Sequence, residues 1–162
     1  YVGVSDVRGA EVTDANFAVL ERMAHWQSAE AMWTRNPWLG VGIGNYEPAY
    51  ARYALPMWPH ALGHAHNYYL NIGAETGLLG FLAYLFLWGA AAVGAWQATR
   101  RASGWCWGVA LGVLGVLVHL GVHNFFDNLH VHSMYLHVAI LLGIIPLLSR
   151  RSDDVDSNHC SG

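Results

Sequence analysis

A short run of histidines and asparagine ahead of an apolar stretch is where this sequence is best equipped for chemistry. Gly63-His64-Ala65-His66-Asn67-Tyr68-Tyr69-Leu70 leads directly into the most apolar part of the chain. His66 falls just before a helix, near the positive end of its dipole, where the neutral imidazole is favoured and can accept a proton. Asn67 suits the N-cap of that helix. The plainer reading of His66 is an interfacial histidine bonded to a loop carbonyl. Upstream, Arg22 has Ala18 and Trp26 one turn away on either side, a setting in which a guanidinium can face inward and clamp an anionic group with paired hydrogen bonds. Its alternative is a surface ion pair with Glu21 or Glu30. Arg8, Arg35 and Arg52 are further cations ahead of the apolar stretch, with Arg52 the second candidate. Glu75 reads as a structural carboxylate partnered by an arginine.

Other groups point elsewhere or nowhere. His119 and His123 are one helical turn apart, and His130, His132 and His137 follow, a spacing that can hold a transition metal. Outer-side carboxylates are sparse and no cysteine joins them, so the expectation is no metal. Gly40 to Tyr46 (GVGIGNY) lacks the Gly-x-Gly-x-x-Gly spacing of a nucleotide loop and reads as a turn that lets backbones approach. Cys106 lies in an apolar run and Cys160 in a polar tail, so no disulfide framework is implied. The formal charge is −3 and all 8 basic residues are arginine, which excludes the basic surface of a nucleic-acid binder.

These residues need membrane elements to position them. Residues 77–96 form an uncharged apolar run long enough to span a bilayer, within a span expected over 69–97. Residues 104–122 are a second span and 129–148 a shorter third. Arg100 and Arg101 follow the first span and Arg150 and Arg151 the third, which places both pairs in the cytoplasm. That parity puts residues 1–68 and the loop HNFFDNLHVHS on the outer face. A helix is expected over 13–35, capped by Thr13 or Asp14, with an inward stripe of Val19, Met23, Trp26, Glu30 and Trp33, and ended by Asn36-Pro37. Gly73, Gly77 and Gly80, and Gly104, Gly108, Gly112 and Gly115, are expected as faces for close helix packing. Residues 150–162 read as a polar, disordered cytoplasmic tail. The first residue is Tyr1, not Met, which is expected of the C-terminal part of a longer chain.

His66, Asn67, a spacer from Tyr68 to Thr76, then Gly77 and Gly80 resemble the His-Asn/Ser/Gln and Gly-x-x-Gly pattern of the O-antigen ligase and O-antigen polymerase family. Arg22, Trp26 and Pro37 to Gly44 (PWLGVGIG) resemble the family's outer-loop stretch. The resemblance implies an all-α polytopic membrane bundle of GT-C-like type in the cytoplasmic (inner) membrane, completed by transmembrane helices upstream of this segment. It implies a metal- and cofactor-independent inverting glycosyltransferase working on the outer face. The donor would be a glycan on a polyprenyl diphosphate and the acceptor a hydroxyl of a glycan or glycolipid. His66 would be the base and Arg22 the diphosphate ligand, with Arg52, His64 and Asn67 binding substrate. A polymerase of the same family is the alternative, and a non-enzymatic histidine-rich metal-binding or transporter-type membrane protein is the alternative of another class.

Overall fold

The computed structural model describes residues 7–130 and 133–159, with side chains through residue 148. It is all-helical, with no strand among the described residues. A 3-10 turn (Val7–Gly9) precedes α1 (Phe17–Arg35), the one-turn helix α2 (Tyr46–Tyr50), and three long apolar helices: α3 (Tyr68–Arg101), α4 (Gly104–His123) and α5 (Met134–His159). The chain divides into two compact units. One holds the residues up to Ala83 together with Asn124–Asn128, and the other holds Tyr84–His123 and the chain from Leu129.

In the first unit, α1 begins at Phe17, later than a Thr13 cap would place it. Asn16 turns away from the helix instead: its Oδ1 accepts the Thr13 N–H at 2.7 Å and its Nδ2 donates to the Glu11 carbonyl at 2.9 Å. The other end stops where Asn36-Pro37 predicts, with Asn36 donating from its backbone N–H and its side-chain amide to the Met32 carbonyl. The buried face differs from the expected stripe. It is Leu20, Ala24, His25, Ser28, Ala29 and Met32, whereas Val19 is exposed. The reason is steric: Ser28 and Ala29 leave room for Tyr46 and Tyr50, both essentially fully buried, and large stripe residues would not. Trp33 is used differently, packing on Phe81 at 5.0 Å between ring centroids and covering Gly73, where any Cβ would enter the indole.

The first apolar helix is broken. Gly77 has φ 64° and ψ −164°, a conformation open essentially to glycine alone. A break strands carbonyls before it and amides after it, and such groups need partners. The Gly-rich loop supplies them. Val41 and Gly42 donate to the Ala74 and Glu75 carbonyls at 2.8 and 2.9 Å, and the Leu78 and Leu79 amides donate to the Pro37 and Trp38 carbonyls at 2.7 and 3.3 Å. The two backbones touch, so a Cβ at Gly40 would strike the backbone of Glu75 and one at Gly77 that of Trp38. Glu75 accepts the Tyr46 N–H at 3.1 Å, so its recorded partner is a backbone amide and not the expected arginine. Gly77 is therefore the joint of a broken helix, where the sequence pattern suggested a flat packing face.

The second unit is built from apolar contacts. Ala91, Ala95, Val113, Leu117 and Ile145 form its centre, and Ala98, Ala110 and Leu148 a smaller cluster. α3 and α4 are long and apolar enough to cross a membrane, and Met134–Leu148 is a shorter apolar helix. Phe86, Leu87, Val93, Trp105, Val118 and Val122 are exposed around these helices. Helices apolar on all sides belong in hydrocarbon, and this is a membrane protein. Gly108, Gly112 and Gly115 face open space here. α5 extends to His159, so its backbone is helical into the polar stretch for which composition implied no order.

Candidate active site

The turn before α3 holds the chemistry of the first unit. His66 has φ 51°, a left-handed conformation uncommon for a side-chain-bearing residue. Three neighbours hold it there. Its carbonyl accepts the Trp26 indole N–H at 3.3 Å, and its N–H donates to His64 Nδ1 at 3.2 Å. The preceding Ala65, fully buried, donates its N–H to the buried Asn71 side chain at 3.0 Å. Asn67 then caps the helix, its Oδ1 accepting the Leu70 N–H at 3.0 Å, as its position in the sequence suggests.

The same turn fastens the segment Asn124–Asn128. Asn67 Nδ2 donates to the Phe125 carbonyl at 3.0 Å, the Tyr68 N–H donates to the Asn124 carbonyl at 2.8 Å, and the Tyr69 and Phe125 rings meet at 4.4 Å. The result is that Asp127 Oδ1 lies 3.3 Å from His66 Nδ1. Partial burial raises the Asp127 pKa, but the Asn128 N–H, His66 and the Arg22 guanidinium outweigh it and hold the carboxyl below its ordinary range. An ionised carboxylate only accepts, so this bond selects the tautomer in which Nδ1 carries the hydrogen and Nε2 is the ring's acceptor nitrogen. An imidazole oriented by a carboxylate in this way can accept a proton.

Beneath His66 lies His25 of α1, only 1% exposed, with ring centroids 5.8 Å apart and edge to face. The Tyr46 hydroxyl donates to the His25 carbonyl at 3.2 Å and sits 2.9 Å from His25 Nδ1. Since the hydroxyl's one hydrogen is committed to the carbonyl, Nδ1 is the donor of the second bond. His25 also stacks on Tyr50 at 4.7 Å. Burial, followed by the charges of His66 and His64, pushes the His25 pKa down to about 4. Burial, with His66 next, also lowers His64, against the opposing pull of Asp127. Both neighbours of His66 are therefore neutral at neutral pH.

The structure thus gathers His66, His64, Asn67 and Arg22, the last exposed and one turn from His25 and Trp26 on α1, close enough to act on Asp127. Arg52 lines a cavity with Arg8 and Arg35, whose lining includes none of these four residues. Sequence reasoning missed Asp127 and His25. Asp127 had a signal, being the one acidic residue of the loop between the second and third spans. His64, His66 and Asp127 each offer a ligand atom within 4.8 Å of the others, the one such group of three among the described residues. In the second unit, the His119 and His123 rings are neighbours at 5.7 Å, and His130 lies against Trp88 at 6.2 Å. His132 lies outside the described residues, as does Cys160.

A helical membrane protein with a histidine–carboxylate pair at the turn before its first apolar helix, and an arginine close enough to act on that carboxylate, has the outline of an enzyme site. The family model described as O-antigen ligase matches residues 2–85, and the chain belongs to that family. None of the curated proteins and none of the solved structures compared with the chain matches it.

Proposed function

We propose that this chain carries the catalytic outer-face segment of an O-antigen ligase-like glycosyltransferase. The donor is a glycan on polyprenyl diphosphate and the acceptor a sugar hydroxyl. His66 Nε2 takes the hydroxyl proton, the hydroxyl oxygen forms a bond to the anomeric carbon, and the bond from that carbon to the diphosphate breaks. Polyprenyl diphosphate leaves with the bonding pair, and attack opposite the leaving group inverts the anomeric centre. Asp127 keeps His66 in the useful tautomer and offsets the imidazolium that forms. Arg22 stabilises the negative charge that grows on the diphosphate. The single observation that carries this reading is the His66–Asp127 pair held on a strained turn beside Arg22. The arginine pairs that follow the first and third apolar helices support an outer-face location in the cytoplasmic membrane. An O-antigen or polysaccharide polymerase would use the same site with a second lipid-linked repeat as acceptor.

Two competing readings meet specific observations. A transporter would use a broken helix to offer free helix ends to a ligand, but the ends at Gly77 are already bonded to the 37–42 backbone. A metal-dependent reaction is favoured by the proximity of His64, His66 and Asp127. Against it, His64 Nδ1 accepts the His66 N–H and Asp127 Oδ1 accepts the Asn128 N–H at 2.8 Å. The test is glycan transfer in membranes by the full-length protein at matched expression. His66→Ala and Arg22→Ala are expected to abolish transfer, whereas His119→Ala and His123→Ala keep it. Transfer is expected to survive EDTA; its loss, restored by added zinc, would move the site to the metal reading. Full activity in both His66→Ala and Arg22→Ala would sink the assignment.

A further inference from the structure

Two histidines and a carboxylate, drawn from two distant stretches of the chain, converge at the turn before α3. His64, His66 and Asp127 each offer a ligand atom, and these atoms lie within 4.8 Å of one another. The two imidazoles meet edge to face at 4.4 Å between centroids, and His66 Nδ1 lies 3.3 Å from Asp127 Oδ1. That is the spacing of two adjacent ligands about a tetrahedral ion, which metal–ligand bonds of about 2.0–2.1 Å put roughly 3.4 Å apart. All three residues are partly exposed, so an ion can reach them. The backbone behind them is fixed: Trp26 and Asn71 hold the 65–66 turn, and Asn67 and Tyr68 hold the 124–125 backbone. Ligands held in place before the ion arrives lose little freedom on binding it.

Two imidazoles and a carboxylate suit zinc, and three protein ligands leave the fourth position to water. Calcium and magnesium prefer oxygen ligands and match the set poorly. Other contacts make such an ion a visitor and not a resident. His64 Nδ1 accepts the His66 N–H at 3.2 Å, and Asp127 Oδ1 accepts the Asn128 N–H at 2.8 Å, so the ion competes with bonds that the protein makes by itself. Arg22, close enough to act on Asp127, repels a cation. Occupancy is therefore reversible and follows the zinc concentration. An ion that takes the Nδ1 lone pair also changes the ring. The one hydrogen of the neutral imidazole moves from Nδ1 to Nε2, and Nε2 can then no longer accept a proton.

We propose that His64, His66 and Asp127 form an inhibitory site for zinc, in which the ion takes the place of the hydrogen between His66 Nδ1 and Asp127. That occupancy inhibits, by depriving the acceptor hydroxyl of its base, rests on the glycan-transfer reading above. That zinc binds does not.

The experiment measures zinc binding to the full-length protein in nanodiscs, by competition with a chromophoric chelator, and glycan transfer at the same free zinc. Transfer is expected to fall tenfold or more as the site fills and to return when EDTA removes the ion. His64→Gln and Asp127→Asn should each weaken binding tenfold or more. His64→Cys, which keeps a zinc ligand, should retain it, which separates loss of a ligand from loss of fold. His119→Gln, at the other histidine pair, should leave it unchanged. No binding by the wild type, binding unchanged in both His64→Gln and Asp127→Asn, or binding lost equally in His64→Cys and His64→Gln overturns the site. Zinc that raises transfer, or leaves it unchanged when bound, overturns the inhibitory role. Binding needs no turnover, so the two readings fail separately. Transfer that persists in His66→Ala removes the catalytic assignment and leaves the zinc site, whereas His66-dependent transfer with zinc binding indifferent to His64 and Asp127 does the reverse.

Discussion

The two units of this chain are held together by different physics. In the unit that ends at Ala83, backbone meets backbone: the 37–42 loop is hydrogen-bonded across the break at Gly77, and polar side chains such as Asn36, Asn67 and Asn71 close the turns. In the unit that begins at Tyr84, alanine, valine, leucine and isoleucine side chains meet each other and few polar groups intervene. Non-helical backbone at the edge of a membrane has to find protein partners, whereas an unbroken helix satisfies itself. The first arrangement fixes atoms to within a hydrogen-bond length and tolerates little change. The second requires only apolar volume. A site that must hold a base, a carboxylate and a cation in register belongs in the first.

The sharpest way to break this contrast is at the pair on which the site depends. Asp127→Asn preserves shape but can donate to His66 Nδ1, which favours the wrong tautomer. We expect kcat for transfer to fall on the order of 10²–10³-fold with KM changed little. A similar loss from a polar histidine change in the second unit, such as His119→Gln, would show that precision is not confined to the first.

Glycine substitutions compare the units directly. Gly40→Ala puts a methyl group against the Glu75 backbone at a positive φ of 65°, and should cost about 3 kcal/mol or more, lowering the thermal midpoint of the purified protein by several degrees. Gly112→Ala meets nothing within 4 Å and should be neutral, or stabilising by up to about 1 kcal/mol through helix propensity. Equal loss in both would mean that the glycine face of α4 is packed against something in the membrane protein.

The legible part of this protein was what local pattern encodes. Apolar length gave the three long helices, Asn36-Pro37 the end of α1, and Asn67 the cap ahead of α3. The His66 turn and Arg22 came from spacing and a family resemblance, and the structure brings them together. What pattern could not encode was pairing across the chain. Asp127 reaches His66 only because Asn67 and Tyr68 bind the 124–125 backbone, an interaction between segments far apart in sequence. The buried face of α1 was missed for a related reason: its rule is room for Tyr46 and Tyr50, which hydrophobicity does not report. The break at Gly77 was hidden because hydropathy is blind to φ.

The smallest expected effect concerns pH, and it tests whether the polar unit is the more fragile one. His25 is buried neutral, with its pKa lowered to about 4 from 6.5. The unfolded chain therefore binds more protons at this residue than the folded one between those values, and folded stability falls as pH is lowered through that window. The slope should approach about 1 kcal/mol per pH unit from this residue alone. Asp127, held below its usual range, contributes in the same direction but only below about pH 3.8, as the carboxylate is protonated. Thermal midpoints measured from pH 7 to pH 4.5 should thus drop in the wild type. In His25→Gln they should start lower, for loss of the Tyr46 and Tyr50 contacts, yet fall less steeply. If both proteins lose stability in parallel, acid acts elsewhere, and the buried histidine beneath His66 is a packing residue without electrostatic consequence.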